Sequence, residues 1–228
     1  MIMSPRHVIT ALFLVAASGA FVRAQTTPPT SSPEELARAL QKHYNDVHDF
    51  KASFVQTSAG GVVRVTDKGE GTVAVKKPGR MRWDYTKPEK QQILSDGSHI
   101  YSCYLDTKDR GCDDPQPMPK DDEAPTATLF LAGKADILRD FRVARVESPV
   151  AGTLALRLDP RKPDPEYEYL VVAFHPTSYQ IRGLKTRNRQ AGETTIVFSD
   201  IKENSGIPDK TFVFVPPRGV SVRKPSKQ

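Results

Sequence analysis

Two alternating segments within Gly69–Tyr85 constrain the fold of this chain more than any other part of it. Thr72–Lys76 and Arg80–Tyr85 each place apolar residues at every second position, a period typical of half-buried strands. Pro78-Gly79 separates them, and proline lacks the N–H that a strand ladder needs while glycine adopts unusual backbone angles. We therefore predict two consecutive strands joined by a turn.

The apolar face of the second strand is broad and adaptable. It combines Met81, Trp83 and Tyr85, and Trp83 is the only tryptophan of the chain. Aromatic rings contribute a large apolar area, and methionine fills irregular gaps. Two interpretations follow from the pattern: the face packs against an ordinary core, or it lines a cavity.

The first 24 residues have the pattern of a secretory signal peptide. Arg6 and His7 form a short polar region, and the apolar run Val8–Val22 follows. The end of this segment, Val22-Arg23-Ala24, resembles a small-x-small cleavage site. The apolar run is too short and too rich in small residues for a membrane span. We expect cleavage before Gln25, export, and no lipidation of the chain itself.

The remaining chain is predicted to contain a disordered leader at 25–32, a single domain at 33–222 and a basic tail at 223–228. The signal segment holds two of the 33 basic residues and none of the 27 acidic ones, so the mature chain is mildly basic. Its basic residues are scattered along predicted strands and do not cluster with aromatic residues. This distribution argues against a nucleic-acid partner.

Cys103 and Cys112 are the only cysteines. Export makes a disulfide between them plausible, and the turn-like segment Asp106–Gly111 suggests that the pair joins two strands of one hairpin. Their spacing excludes a CxxC redox pair, and too few partners are nearby for metal binding. We predict a structural disulfide.

One helix precedes the strands. Ser32 is a good N-cap before Pro33, and acidic residues follow in the first turn. Apolar residues then recur at helical spacing up to about residue 48, namely at Leu36, Leu40, Tyr44 and Val47. This stripe can belong to the core or can cover a hydrophobic surface.

Short strands fill most of the rest, with a second helix predicted at Thr126–Leu138. Asp96-Gly97 is a strong hairpin signal. The other predicted strands are Phe50–Thr57, Val62–Thr66, Gln91–Ser95, His99–Leu105, Phe141–Glu147, Thr153–Asp159, Glu168–Phe174, Tyr179–Asn188, Thr194–Asp200 and Thr211–Val215. This succession predicts a mainly β protein, an antiparallel barrel or a strongly curved sheet.

Signatures of catalysis are missing from the sequence. Ser95–His99 contains serine, aspartate and histidine, but neighbours around a hairpin turn do not converge as a triad does. GxSxG, HExxH, Walker and GxGxxG motifs are absent. We therefore predict no catalytic residues, no metal, no cofactor and no enzymatic activity.

Several motifs together resemble the periplasmic outer-membrane lipoprotein carrier (LolA) family. Gly69-x-Gly71 is followed by Val75-Lys76-Lys77-Pro78 and by Met81-x-Trp83. Three further matches occur in the family's order: Phe50-x-Ala52-Ser53-Phe54-x-Gln56, Ser95-Asp96-Gly97 and Phe212-x-Phe214-x-Pro216-Pro217-x-Gly219-Val220. The resemblance extends from about Leu36 to Val222.

The resemblance implies a mainly β fold with lid helices: an incomplete antiparallel β-barrel, a strongly curved sheet, that encloses a hydrophobic cavity. It implies a monomeric periplasmic chaperone that binds the acyl chains of lipoproteins. The expected partners are acylated lipoproteins, the inner-membrane ABC transporter that releases them and an outer-membrane acceptor. The alternative is a periplasmic sensor or regulator on the same fold that binds lipid or a partner.

The resemblance also suggests site residues. The family latches its lid with an arginine before the proline, and Lys77 occupies that position here. We expect Lys77 to hold backbone carbonyls of the Leu129–Ala132 segment, less firmly than the planar fork of arginine would. The expected acyl-chain contacts are Leu40, Phe54, Met81, Trp83, Leu129, Phe130, Leu131 and Leu138.

Overall fold

The computed structural model describes residues 31–60, 66–106, 111–118, 130, 133–164 and 166–216. The predicted signal peptide, most of the leader and the basic tail lie outside this range. The described residues belong to a compact unit that starts at Ser31.

The described part of the chain begins with a helix and continues largely as strands. The helices are α1 (Pro33–Asp46) and α2 (Ile137–Asp140), and a 3₁₀ turn spans Asp209–Phe212. The strands are β1 (Asp49–Gly60), β2 (Asp67–Lys76), β3 (Arg80–Lys87), β4 (Gln91–Asp96), β5 (His99–Tyr104), β6 (Gln116–Pro117), β7 (Phe141–Val146), β8 (Leu154–Pro160), β9 (Tyr167–Phe174), β10 (Ile181–Asn188) and β11 (Gly192–Glu203).

All eleven strands form one antiparallel sheet in the order β6-β5-β4-β3-β2-β1-β11-β10-β9-β8-β7. Within the described ranges the edge strands β6 and β7 do not pair with each other, so the sheet is an open, incomplete barrel. The predicted fold class is confirmed.

Helix α1 contacts edge strand β7, and its residue Tyr44 contacts Lys77 at the end of β2. In a flat sheet β2 and β7 would lie about 29 Å apart. A helix of 14 residues is only about 21 Å long. The sheet therefore curves around α1, and we call the side that faces α1 the inner face and the other side the outer face.

Helix α1 starts where the sequence predicts. The Ser32 side chain accepts a hydrogen bond from the Glu35 amide at 3.2 Å, and the Glu35 carboxylate accepts one from the Ser32 amide at 2.9 Å. This capping box satisfies two amides that have no partner within the helix. The apolar stripe points to the sheet, since Leu36, Ala37 and Leu40 are all buried.

The second predicted helix, Thr126–Leu138, is wrong as a continuous element. Phe130 is helical, but Gly133, whose φ is +72°, is not. Helix α2 then starts anew at Ile137, with Asp136 as its N-cap accepting from the Arg139 amide at 2.8 Å. A glycine in the left-handed region commonly ends a helix. Residues 119–129 and the predicted strand residues 62–65 lie outside the described ranges.

The predicted strand Thr211–Val215 is also wrong. The described residues 211–216 pair with no strand of the sheet. This C-terminal segment forms the 3₁₀ turn instead and crosses the outer face, where Asp209 accepts from Lys76 at 2.6 Å and Arg80 at 2.8 Å. Phe212 is buried beside β3 and β4.

Candidate functional site

Aromatic and aliphatic side chains cover the inner face under α1. On β1, Phe50, Ala52 and Phe54 alternate inward, as their spacing predicts. The Phe54 ring meets Trp83 at 5.0 Å and Tyr85 at 4.9 Å between centroids, both edge to face. Such pairs stabilise by about 0.5–1.5 kcal/mol beyond their buried area. The inner face is thus a continuous apolar surface.

Six of the eight expected acyl-chain contacts belong to one apolar cluster. Three of them are buried and three are partly buried against the others: Leu40, Phe54 and Phe130, then Met81, Trp83 and Leu138. Leu129 and Leu131 lie outside the described residues. That these side chains touch acyl chains stays a prediction.

The cover over this surface consists of α1 and the residue Phe130. The rings of Tyr44 and Phe130 stack at 5.1 Å with an interplanar angle of 7°. The Gln41 side chain accepts a hydrogen bond from the Ile137 amide at 2.8 Å, which joins α1 to α2. These few contacts hold the two helical segments together above the sheet.

The cover leaves little space beneath the end of α1. A cavity of about 10 Å³, lined by Tyr44, Val47, Phe50, Ile181, Phe198, Ile201 and Glu203, remains there. This volume suits about one water molecule. Ligand pockets typically measure about 300–1,000 Å³. An acyl chain can therefore occupy this place only after α1 moves away.

Lys77 connects the turn after β2 to the last turn of α1. Its ammonium group donates to the Tyr44 carbonyl and lies 3.5 Å from the centroid of the Tyr44 ring. Its backbone amide donates to the His48 carbonyl at 2.9 Å. The expected partners were carbonyls of Leu129–Ala132, and the residues of that segment other than Phe130 lie outside the described ranges. The structure thus adds α1 as a partner of Lys77.

Burial makes the charge of Lys77 costly. Loss of solvent lowers the pKa of Lys77 to about 8, against the opposing influence of the Glu203 and Asp46 carboxylates. Burial also raises the pKa of Tyr44, whose hydroxyl therefore stays protonated. The Lys77 ammonium group therefore remains mostly charged near neutral pH while it contacts α1.

Gly133 makes room for the Lys77 side chain. A Cβ atom at this position would lie 2.5 Å from Cδ and 2.8 Å from Cε of Lys77. Its φ of +72° also disfavours any other residue. The aliphatic part of Lys77 therefore packs against Gly133.

The connection from α1 to β1 is held by two residues that the sequence did not single out. The Asn204 side chain accepts from the His48 amide at 2.7 Å and donates to the Asp46 carbonyl at 3.0 Å. The buried Asp49 carboxylate accepts from Ser205 at 2.8 Å and from Gly206 at 3.0 Å. These bonds and the Lys77 contact therefore hold the same C-terminal end of α1 to the sheet.

The Asp96 side chain holds the turn Asp96-Gly97-Ser98 and also accepts from the Tyr101 hydroxyl at 3.0 Å. The Asp96 carboxylate accepts from the Ser98 amide at 2.7 Å and the His99 amide at 2.8 Å. The Ser95 hydroxyl donates to the Gly79 carbonyl at 2.8 Å. No cluster of three or more potential metal ligands occurs in the described ranges.

The predicted disulfide between Cys103 and Cys112 is present. Both residues are buried, and Cys112 pairs with Cys103 as an isolated bridge beside β5. The disulfide closes the segment between them onto the edge of the sheet.

A curved sheet whose apolar inner face lies under a helix defines the open-barrel class of protein to which this chain belongs. The family model described as "Outer membrane lipoprotein carrier protein LolA" matches residues 45–215. The chain therefore belongs to the LolA family, as its motifs predict.

Two relatives illustrate the sequence similarity. An outer-membrane lipoprotein carrier protein of Nitrosomonas europaea is 27% identical over 197 residues, which cover 85% of this chain and 91% of the relative. One of Ralstonia nicotianae is 28% identical over 191 residues, covering 81% and 85%. An uncharacterized conserved protein of Thermus thermophilus shares the fold at 10% identity, with a TM-score of 0.50 over 83% of this chain and 98% of that one.

In the described part of the chain, we find no helix whose length and apolarity would let it cross a membrane.

Proposed function

We propose that this protein is a periplasmic chaperone that binds the acyl chains of lipoproteins released from the inner membrane and carries them to an outer-membrane acceptor. The observation that carries the proposal is the apolar inner face beneath α1, whose last turn Lys77 contacts. Membership of the LolA family and the relatives' description as lipoprotein carriers support it.

The energetics of the cargo explain this construction. Each methylene group transferred from an apolar place to water costs about 0.8 kcal/mol, so a few acyl chains cost tens of kcal/mol in solution. A carrier must therefore offer a comparable apolar surface. A movable cover, here α1 and Phe130, keeps that surface out of water while no cargo is bound.

Loading exchanges one apolar partner for another. In the closed form the inner face contacts Leu36, Leu40 and Phe130, and after loading it would contact acyl chains instead. A similar buried area in both forms would keep the free-energy difference between them small. Such a balance lets cargo enter and leave without an energy source in the periplasm, which we propose is how the protein passes cargo between the transporter and the acceptor.

Trp83 provides a direct test. It is the only tryptophan, and it lies on the inner face beside Phe54. A lipopeptide with brominated acyl chains should quench its fluorescence, and the same lipopeptide without bromine should not. The variant Val55→Ala, changed at a 47% exposed residue of β1 next to Phe54, should be quenched as strongly as the wild-type protein. Unchanged Trp83 fluorescence at saturating brominated lipopeptide would contradict acyl binding on the inner face.

A second experiment separates a carrier from a sensor. Membrane vesicles that contain the lipoprotein-releasing transporter and a lipoprotein are incubated with the purified protein. A carrier releases the lipoprotein into the supernatant and later delivers it to acceptor-containing membranes. A sensor binds acyl chains but leaves the lipoprotein in the vesicles.

A further inference from the structure

The inner face of β1 changes from apolar to polar after Phe54. The next inward residues are Gln56 and Ser58, and both are half-buried. The Tyr85 hydroxyl donates to Gln56 Oε1 at 2.9 Å, and Gln56 Nε2 donates to Ser58 Oγ at 3.4 Å. Ser58 Oγ lies 3.1 Å from Thr194 Oγ1 on β11. Four polar side chains on three strands thus form one hydrogen-bonded row, the polar row.

A glycine of the sequence motif makes this row possible. Gln56 on β1 lies opposite Gly69 on β2. A Cβ atom at Gly69 would lie only 3.1 Å from the Tyr85 ring, so the ring rests on the glycine backbone and reaches across β2. Gly69 therefore allows a residue of β3 to bond to a residue of β1. Two residues of the sequence motifs therefore build the polar row together: Gln56, at the end of the Phe50–Gln56 motif, and Gly69, the first glycine of Gly69-x-Gly71.

The polar row continues the apolar surface without a gap. The Tyr85 ring packs edge to face on Phe54 at 4.9 Å, while its hydroxyl belongs to the polar row. Burial raises the pKa of Tyr85, so this hydroxyl remains a donor and fixes the orientation of the Gln56 amide. A ligand lying along β1 would meet hydrocarbon up to Phe54 and hydrogen-bonding groups beyond it.

The polar row has donors to spare. A glutamine amide carries two N–H groups, and only one of those on Gln56 has an acceptor among the described residues, at a long distance. Ser58 and Thr194 share a single hydrogen in the bond between them, which leaves one hydroxyl hydrogen for another acceptor. These donors are uncharged and half-buried. They suit carbonyl oxygens better than anions, because burying an anion costs free energy that no described cation offsets here.

We propose that Gln56, Ser58 and Thr194 bind the ester and amide carbonyl oxygens that link acyl chains to the amino terminus of the cargo. This inference rests on the proposed function. It assigns the chains to the apolar surface and the linkage to the polar row, which fixes the direction in which cargo lies on β1. The row then distinguishes an acylated lipoprotein from a plain hydrocarbon or a detergent tail.

The test compares two synthetic lipopeptides with equal chain lengths, one with ester-linked and one with ether-linked chains. The ether compound has no ester carbonyls but the same hydrocarbon. Quenching of Trp83 by brominated chains measures both dissociation constants. We expect the wild-type protein to bind the ester compound about three- to tenfold more tightly. Gln56→Leu should abolish the preference by weakening ester binding, with ether binding unchanged.

A second variant and a control complete the experiment. Tyr85→Phe removes only the hydroxyl that orients Gln56, so it should reduce the preference while keeping the ring on Phe54. Ser53→Ala, on the outer face of the same strand, should keep the preference. Equal binding of both compounds by wild type and all variants would overturn the inference while leaving the proposed function intact. Binding of neither compound by the wild-type protein would overturn both.

Discussion

The ammonium group of Lys77 lies 3.5 Å from the centre of the Tyr44 ring and donates to the carbonyl of the same residue. Tyr44 in turn stacks on Phe130 at 5.1 Å. Lys77 therefore contacts α1 directly, and the Tyr44 ring connects it to Phe130, the second part of the cover. Because the side-chain contacts of Lys77 lie outside the strand ladder, substitution at position 77 should alter closure without disturbing the sheet.

Lys77→Leu should trap cargo on the carrier. Without the latch the open, loaded form is favoured, so lipoprotein should accumulate on the protein and not reach the acceptor. The free energy of unfolding should change by less than about 1 kcal/mol, because the Tyr44 carbonyl keeps its bond from the Val47 amide and a costly buried charge is removed. Transfer from purified complexes and thermal unfolding measure the two effects.

Lys76→Leu is the matched control for this variant. Lys76 precedes Lys77 but points to the outer face, where Asp209 keeps Arg80 as a partner at 2.8 Å. Transfer should remain normal in Lys76→Leu. Normal transfer by Lys77→Leu, or its outright unfolding, would show that Lys77 is not a latch.

Lys77→Arg should strengthen closure. The guanidinium group is planar, donates through a fixed fork and is more weakly hydrated than an ammonium group, so it holds carbonyls more firmly and is easier to bury. Loading, followed as quenching of Trp83 by brominated lipopeptide, should slow down by about threefold or more. Faster loading than in the wild type would contradict this account.

Loading should also depend on pH through Lys77. The pKa of Lys77 is about 8 in the closed form and returns toward 10.5 when the side chain is exposed. Between these values the closed form binds fewer protons than the open form, so raising the pH stabilises closure. The loading rate should fall by about threefold or more from pH 8 to pH 10, after allowance for solvent screening.

The Lys77→Arg variant is the control for the pH dependence, since arginine stays charged over this range. Its loading rate should be constant between pH 8 and pH 10. A parallel decline in both proteins would assign the effect to another group.

Gly133→Ala should destabilise the protein more than Gly152→Ala. Both glycines have a φ of +72°, but a Cβ atom meets nothing within 4 Å at Gly152 and collides with Lys77 at Gly133. We expect Gly152→Ala to cost about 1 kcal/mol and Gly133→Ala at least about 1 kcal/mol more. Urea unfolding measures both.

The combination of Gly133→Ala with Lys77→Ala identifies the source of the extra cost. If the collision with the lysine side chain is responsible, the double variant should recover the difference between the two glycine sites. If the effects of the two substitutions on the free energy of unfolding were additive, the Lys77 side chain would not be the source of the extra cost.

Replacing both cysteines by alanine should lower the free energy of unfolding by roughly 2–3 kcal/mol, because the disulfide closes a short loop. A thiol reductant should have the same effect on the wild-type protein and none on the double variant. Two free thiols titrating in unfolded, unreduced protein would contradict the disulfide.

The sequence by itself determined most of the local structure and the family. Alternation at Arg80–Tyr85 predicts β3, because a strand presents every second residue to the same side. Ser32 and Glu35 predict the start of α1, because their side chains bond to backbone amides within one turn. Such signals depend only on neighbouring residues. They failed at Thr211–Val215, which pairs with no strand and instead packs beside β3 and β4 on the outer face.

Only the tertiary structure decided which side chains meet. The partners Lys77 and Tyr44 lie 33 residues apart, and Gln56 and Tyr85 lie 29 apart. The first contact exists because the curved sheet carries the turn after β2 to the end of α1. The second exists because the register of β1 and β2 sets Gly69 opposite Gln56. Strand register and curvature arise from the packing of the whole sheet, and no local pattern encodes them.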